Sequence, residues 1–189
     1  AAVVAYLALF PPLFAVVVRR LLIATGPRAL MAAPLVWVAT ELGRTHLFTG
    51  FPWVLLGYSQ ATMLPVAQLA SVFGVYGVSA LVAAFSTALV APVVTRRGRW
   101  PYAWGGSVVL AVAVTAAWGS ARMARADLTR QGEAVTVGLV QGNVDQGEKW
   151  NAGRAAAIFD SYLSLTRDVI ARGAEFVLWP ESSTPFFFE

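Results

Sequence analysis

The stretch VAQLASVFGVYGVSALVAAFSTALVAPVV, residues 66–94, carries no charged side chain. It is longer than the ~20 apolar residues a helix needs to cross ~30 Å of hydrocarbon at ~1.5 Å per residue. The rest of the 189-residue chain has the same texture, with 58% hydrophobic and 13% charged residues and a mean hydropathy of +0.64. Soluble domains hold about 45–50% apolar and about 25% charged residues. The excess requires a second apolar solvent, so the fold begins as a transmembrane α-helical bundle.

Working outward, the residue pattern predicts four spans. These are Ala1–Val18, with Pro11-Pro12 as a kink; about Arg28–Phe48; Val66–Val94; and Pro101 to about Trp118. The third is long enough to tilt, or to begin at the interface near Gly74 and Gly77. Arg19, Arg20 and Arg28 lie in one turn, and Arg96, Arg97 and Arg99 in another. Two spans separate these turns, so they share a side, which the positive-inside rule makes cytoplasmic. The loop 49–65 and everything after the fourth span are then expected outside.

From Ala1 to Ser120 the acidic residues amount to Glu41 alone, and all others lie from Asp127 onward. The expected organisation is a membrane domain over 1–121, a linker over 122–133 and a water-soluble region over 134–189. The net charge of +4 comes from Arg clusters between apolar runs, a topogenic pattern rather than a nucleic-acid footprint. Cysteine is absent, which excludes disulfides, thiolate metal sites and a cysteine nucleophile within these residues. His46 is the single histidine and forms no metal cluster by itself. The chain starts inside an apolar run without a basic n-region, so it reads as a sequence truncated at both ends rather than one opening on a signal peptide.

Beyond residue 133 the pattern is that of an α/β domain. Val135, Val137 and Leu139 alternate, as in a strand. Gln141–Lys149 is a polar loop. Ile158, Phe159, Tyr162, Leu163, Val169 and Ile170 recur at helical spacing before a stop at Gly173. Phe176-Val-Leu-Trp179 is short and continuously apolar, as expected of a strand buried on both faces. Strand, helix and strand make a βαβ unit. Pro180 cannot extend a ladder, so Glu181 falls at the carboxyl end of the second strand, where open α/β folds bind ligands. Between Trp179 and Phe186-Phe187-Phe188 its carboxylate is expected to be poorly solvated, which suits a general base. An exposed loop glutamate is the plainer alternative.

Several blocks, taken in order, resemble bacterial apolipoprotein N-acyltransferases, members of the nitrilase superfamily. They are Glu41-x-x-Arg44, Thr49-Gly-Phe-Pro-Trp53, Gly57-Tyr-Ser-Gln60, Gly74-Val-Tyr-Gly77, Gln141-Gly-Asn143 with Gln146 and Lys149-Trp150, and Leu178-Trp-Pro-Glu-Ser182. Asp145 departs from the family's usual proline. The resemblance implies that the second region is the start of a nitrilase-like αββα sandwich outside the cytoplasmic membrane of a bacterium. It implies transfer of an acyl chain from a phospholipid to the N-terminal amine of an apolipoprotein's diacylglyceryl-cysteine, through a thioester. Glu181 matches the catalytic base of the Glu-Lys-Cys triad, whose Lys and Cys would lie beyond residue 189, so this piece alone is expected to be inactive. Trp150 matches a tryptophan at the lipid-facing mouth of the active site; a residue stapling the next helix is the alternative. The implied protein is a monomer without metal or organic cofactor.

Other readings are a membrane-tethered amidase with the same triad, a transporter using Glu41 and Arg44, and a scaffold. Three apart on a helix, Glu41 and Arg44 are expected to pair and stabilise the bundle. Phe51-Pro52-Trp53 and Tyr58 read as an interfacial aromatic belt.

Overall fold

The computed structural model describes residues 2–95, 98–126, 132–181 and 183. The chain forms two compact units, residues 1–130 and 131–189.

The first unit is helical. α1 (Ala2–Leu7) leads almost directly into α2 (Phe10–Thr25), and the chain is interrupted just before Pro11 and Pro12. The prolines thus occupy the first turn of α2, where a missing N–H costs no helical bond. α2 continues through Arg19 and Arg20 past the expected end at Val18, because arginine is a good helix former. It stops where Gly26 takes φ +78° and Pro27 follows. A 3-10 turn over Pro27–Ala32 then enters α3 (Ala33–His46).

Three helical stretches among the described residues are long and apolar enough to cross a membrane: Ala2–Thr25, α5 (Ala70–Val94) and α6 (Trp100–Arg125). The fourth span, expected over Arg28–Phe48, is not one regular helix. α3 has 14 residues, about 21 Å of rise, and the 3-10 turn supplies the rest of that segment. Pro27 and Pro34 set this division, since each is tolerated only in the first turn of its element. α6 runs beyond the expected end at Trp118, since no proline follows and Gly119 is held in the helix against Pro65, and it closes at Ala126 in a left-handed conformation, φ 54°.

α3 packs on α2 and α5, and α5 packs on α6. Small residues allow these close approaches: Ala33, Ala91 and Ser79 are almost fully buried, as is common where helices pack without a hydrophobic driving force between them. α4 (Leu64–Ala67) sits against α6. A Cβ at Gly119 would fall on the backbone carbonyl of Pro65, so only glycine fits there. Gly74 breaks α5 with φ +64° and ψ −174°, so its first turn is set off from the main helix.

The second unit is a βαβ unit. β1 (Val137–Leu139) and β2 (Phe176–Leu178) pair in parallel, with Val137 opposite Phe176, Gly138 opposite Val177 and Leu139 opposite Leu178. α7 (Ala155–Ala171) connects them and covers the face carrying Gly138 and Val140. Val140, Ile158 and Tyr162 form the core with Val144, Leu165, Val169, Val177 and Trp179. A Cβ at Gly138 would lie 2.8 Å from Val169 Cγ2, so the missing side chain admits the helix. Val135, Val137, Leu139, Phe176 and Leu178 occupy the other, exposed face. In this unit β2 is therefore covered on one face only, not on both as its apolar run predicts.

Candidate functional site

The second unit forms a cleft of about 190 Å³ at the carboxyl ends of its two strands. After β1 the chain passes through Gln141 and Gly142 to Asn143, which adopts φ 48°. The Gln141 side-chain amide donates to Asn143 Oδ1 at 2.8 Å. A Cβ on Gly142 would come within 2.6 Å of the Tyr162 ring, so glycine lets this loop lie on α7. Asp145 Oδ1 accepts from Gly147 N at 2.8 Å, and the Asn151 side chain caps the next 3-10 turn by accepting from Gly153 N at 3.0 Å.

After β2, Pro180 and Glu181 form the opposite lip of the cleft. Lys149 joins the lips: its Nζ donates to the Glu181 carbonyl oxygen at 3.4 Å. The floor is Ile158 and Tyr162. The cleft thus gathers an amide side chain, an ammonium and a carboxylate-bearing turn over an apolar base. That arrangement is suited to holding a polar group on an otherwise apolar ligand.

Of the residues predicted to form the site, Glu181 lines this cleft and is exposed. Trp179 does not desolvate it as expected. Its indole turns onto α7, stacking near Phe159 and Tyr162 and donating Nε1–H to Thr166 Oγ1 at 2.8 Å. A buried indole needs such a partner for its N–H, and α7 supplies it. Phe186, Phe187 and Phe188 lie outside the described residues. Trp150 is 60% exposed, and the Lys149 ammonium lies 5.9 Å from its ring centroid. Sequence reasoning misses the link from Lys149 to Glu181 and meets Lys149 only within the family resemblance; its position before Trp150 is the one signal.

Glu41 and Arg44, both among the described residues, form no ion pair with each other, contrary to expectation. Glu41 is 3% exposed, and its Oε1 accepts from Trp37 Nε1 at 3.1 Å and from the backbone N–H of Leu56 at 2.6 Å. Arg44 Nη2 donates to the carbonyls of Trp53 and Val54 at 3.2 and 3.0 Å. Backbone groups of the following loop compete successfully for both side chains: the Leu56 N–H for Glu41, and the exposed Trp53 and Val54 carbonyls for Arg44.

The membrane unit also holds two apolar crevices. One, of about 640 Å³, lies between Leu35, Phe73, Leu81 and Trp104; the other, of about 390 Å³, lies between Phe14, Trp37 and Val90. Neither is lined by a carboxylate, Lys, Arg or His among the described residues. Among the described residues no three His, Asp or Glu side chains converge as metal ligands would.

The N-terminal domain of apolipoprotein N-acyltransferase matches as a family over residues 1–89. The apolipoprotein N-acyltransferase of Geobacter metallireducens is 39% identical over 98% of this chain and 36% of its own length. That of Methylococcus capsulatus is 36% identical over the same shares, and that of Nitrosomonas europaea 35% identical over 98% and 35%. The chain therefore spans about a third of the length of these curated relatives. With the matching domain over residues 1–89 and such identity along nearly all its residues, this chain belongs to the apolipoprotein N-acyltransferase family.

Proposed function

We propose that the complete protein transfers an acyl chain from a membrane phospholipid to the N-terminal amine of diacylglyceryl-cysteine in apolipoproteins, and that Glu181 is its general base. In this reading Glu181 takes the proton of a cysteine thiol supplied by the remainder of the protein. The thiolate attacks the phospholipid ester carbonyl, a lysine stabilises the oxyanion, and protonated Glu181 returns its proton to the departing lysophospholipid oxygen as the ester C–O bond breaks and the thioester forms. The lipoprotein amine then attacks the thioester, Glu181 accepts its proton and passes it to the departing cysteine sulfur, and the amide forms as the thiol is released. A thiolate needs a neighbouring base, and a tetrahedral oxyanion needs a fixed positive charge.

The observation that supports this reading is a family relationship along nearly all of the chain, joined to a glutamate at the mouth of a strand-end cleft. Trp150 is assigned to the lipid substrate: it is exposed beside that cleft's lysine, and indole suits the headgroup level. The βαβ unit is taken as the start of a nitrilase-like αββα sandwich on the periplasmic side of the inner membrane. The Arg-bearing turns then face the cytoplasm.

The test is Glu181→Gln in the complete protein, followed by mass spectrometry of the acyl-enzyme. The expected result is no thioester with phospholipid present. Acylation at the wild-type level would refute the assignment of the base.

A further inference from the structure

The geometry points to residues 47–54 as a rigid apolar wedge that inserts into the lipid headgroup region, held in shape by Glu41 and Arg44. The segment follows the C-terminal end of α3, remote from the Pro27–Ala32 turn that holds Arg28 and precedes that helix. Its large side chains face outward: Phe48 is 91% exposed, Val54 74% and Trp53 60%. A surface loop in water would carry charge, yet from Leu47 to Thr95 the sequence holds no Asp, Glu, Lys, Arg or His. At the end of a membrane helix, an uncharged segment rich in aromatic residues fits the interface, where an apolar body and an occasional polar handle are both satisfied.

The backbone of this segment is set by its fastenings. Phe48 and Val54 both occupy the left-handed region, at φ 57° and 59°, which a β-branched residue such as valine rarely adopts. Such a conformation persists only where its surroundings over-determine it. Here Arg44 holds the carbonyls of Trp53 and Val54, and Glu41 holds the N–H of Leu56. On the other flank, Tyr6 donates to the carbonyls of Arg44 and Leu47 at 2.9 and 3.2 Å and packs edge-on against Phe48. Gly50, at φ +73°, tucks so close to the Thr45 carbonyl that no Cβ fits. Fastenings on both sides of an outward-facing apolar tip make a prebuilt insertion element that need not order itself on contact with lipid.

The deciding experiment places photoreactive benzoylphenylalanine at Val54 of the complete protein in nanodiscs of phosphatidylethanolamine and phosphatidylglycerol. Leu89 on α5 serves as the lipid-facing reference. The expected product after irradiation is protein plus one phospholipid, at a yield comparable to that from Leu89. Adducts to another stretch of the protein or to a second copy would overturn the proposal, as would a yield far below the reference. Arg44→Gln is expected to reduce the Val54 lipid adduct several-fold and leave the Leu89 adduct unchanged. An unaltered Val54 yield in that variant would overturn the strut role. The Val54 readout requires no strut variant, so poor accumulation of Arg44→Gln leaves the decision on lipid contact intact.

Discussion

The two units use polar side chains in opposite ways. Among the described residues of the helical unit the buried polar side chains are Thr40, Glu41 and Ser79, and each bonds within the fold, Glu41 through Oε1 alone, its Oε2 being buried without a hydrogen-bond partner. Thr40 donates to Trp37 O, Ser79 accepts from Gly57 N at 2.8 Å, and Glu41 ties Trp37 to Leu56. In the second unit, Lys149 and Glu181 line an open cleft, and Trp150 is exposed beside it. An apolar surrounding makes an unpaired polar group costly, so it selects side chains that satisfy backbone. An open cleft leaves the exposed Glu181 carboxylate accessible to a ligand, beside a Lys149 ammonium that holds the Glu181 carbonyl. The difference teaches that a charged residue in a span is not by itself a site: Glu41 has structural partners, whereas Glu181 presents its carboxylate to solvent.

The sharpest way to break this comparison is to disturb the packing on which the helical unit depends. Gly119→Ala puts a methyl group onto the Pro65 carbonyl, and α6 must shift. Overpacking of this kind costs ~1–3 kcal/mol, occasionally more. The expected outcome, measured in detergent micelles, is a larger fall in thermal unfolding midpoint than the loss of any single polar side chain produces. Glu41→Leu is next. It strands the Trp37 and Leu56 N–H groups, for ~1–3 kcal/mol, whereas Glu41→Gln keeps an acceptor oxygen and should cost less. If Gln proved as harmful as Leu, the negative charge itself would matter, and Glu41 would need a role beyond anchoring the loop.

Much of this division is legible in the sequence, and the exceptions have physical causes. The apolar runs announce the spans, but their ends are set by breakers rather than by charge. Arg19 and Arg20 leave α2 intact, and Gly26-Pro27 end it. Hydropathy alone cannot show that Pro27 and Pro34 divide the second run into a 3-10 turn and a short helix. The strand–helix–strand order is readable from periodicity. Which strand face meets α7 is not, because the choice depends on the absence of a side chain at Gly138. The spacing of Glu41 and Arg44 suggests a pair, but it does not reveal that unmet backbone groups of a later loop lie within reach. Glu181 is legible as the residue after a short apolar strand and a proline. The contact from Lys149 crosses 32 positions in the chain and has no local pattern to betray it.

Smaller effects sharpen the contrast further. Ser79→Ala removes the acceptor of Gly57 N–H in a buried setting. A net hydrogen bond is worth about 0.5–1.5 kcal/mol, and leaving the donor unmet raises the cost towards ~1–3 kcal/mol. The loss should appear in thermal unfolding, below the effect of Glu41→Leu, because one donor is orphaned instead of two. If Ser79→Ala were silent, Gly57 would have found another acceptor, and the close approach of Gly57 to the Val75 carbonyl would be the contact that matters.

The smallest effect is expected from an ion pair that closely resembles the one foreseen in the span. Glu148 and Arg154 meet at 3.0 Å, with side chains 49% and 55% exposed. Water screens both partners, and holding two long side chains in place costs entropy, so exposed pairs contribute about 0–1 kcal/mol. Arg154→Ala is therefore expected to change the unfolding midpoint of the complete protein by little, and less still in high salt. This pair satisfies every geometric criterion for a salt bridge, while Glu41 and Arg44 form none with each other. If Arg154→Ala nevertheless destabilised the protein as much as Glu41→Leu, surroundings would not be what decides the worth of a charge here. The contrast between the two units would then have to rest on something other than access to water.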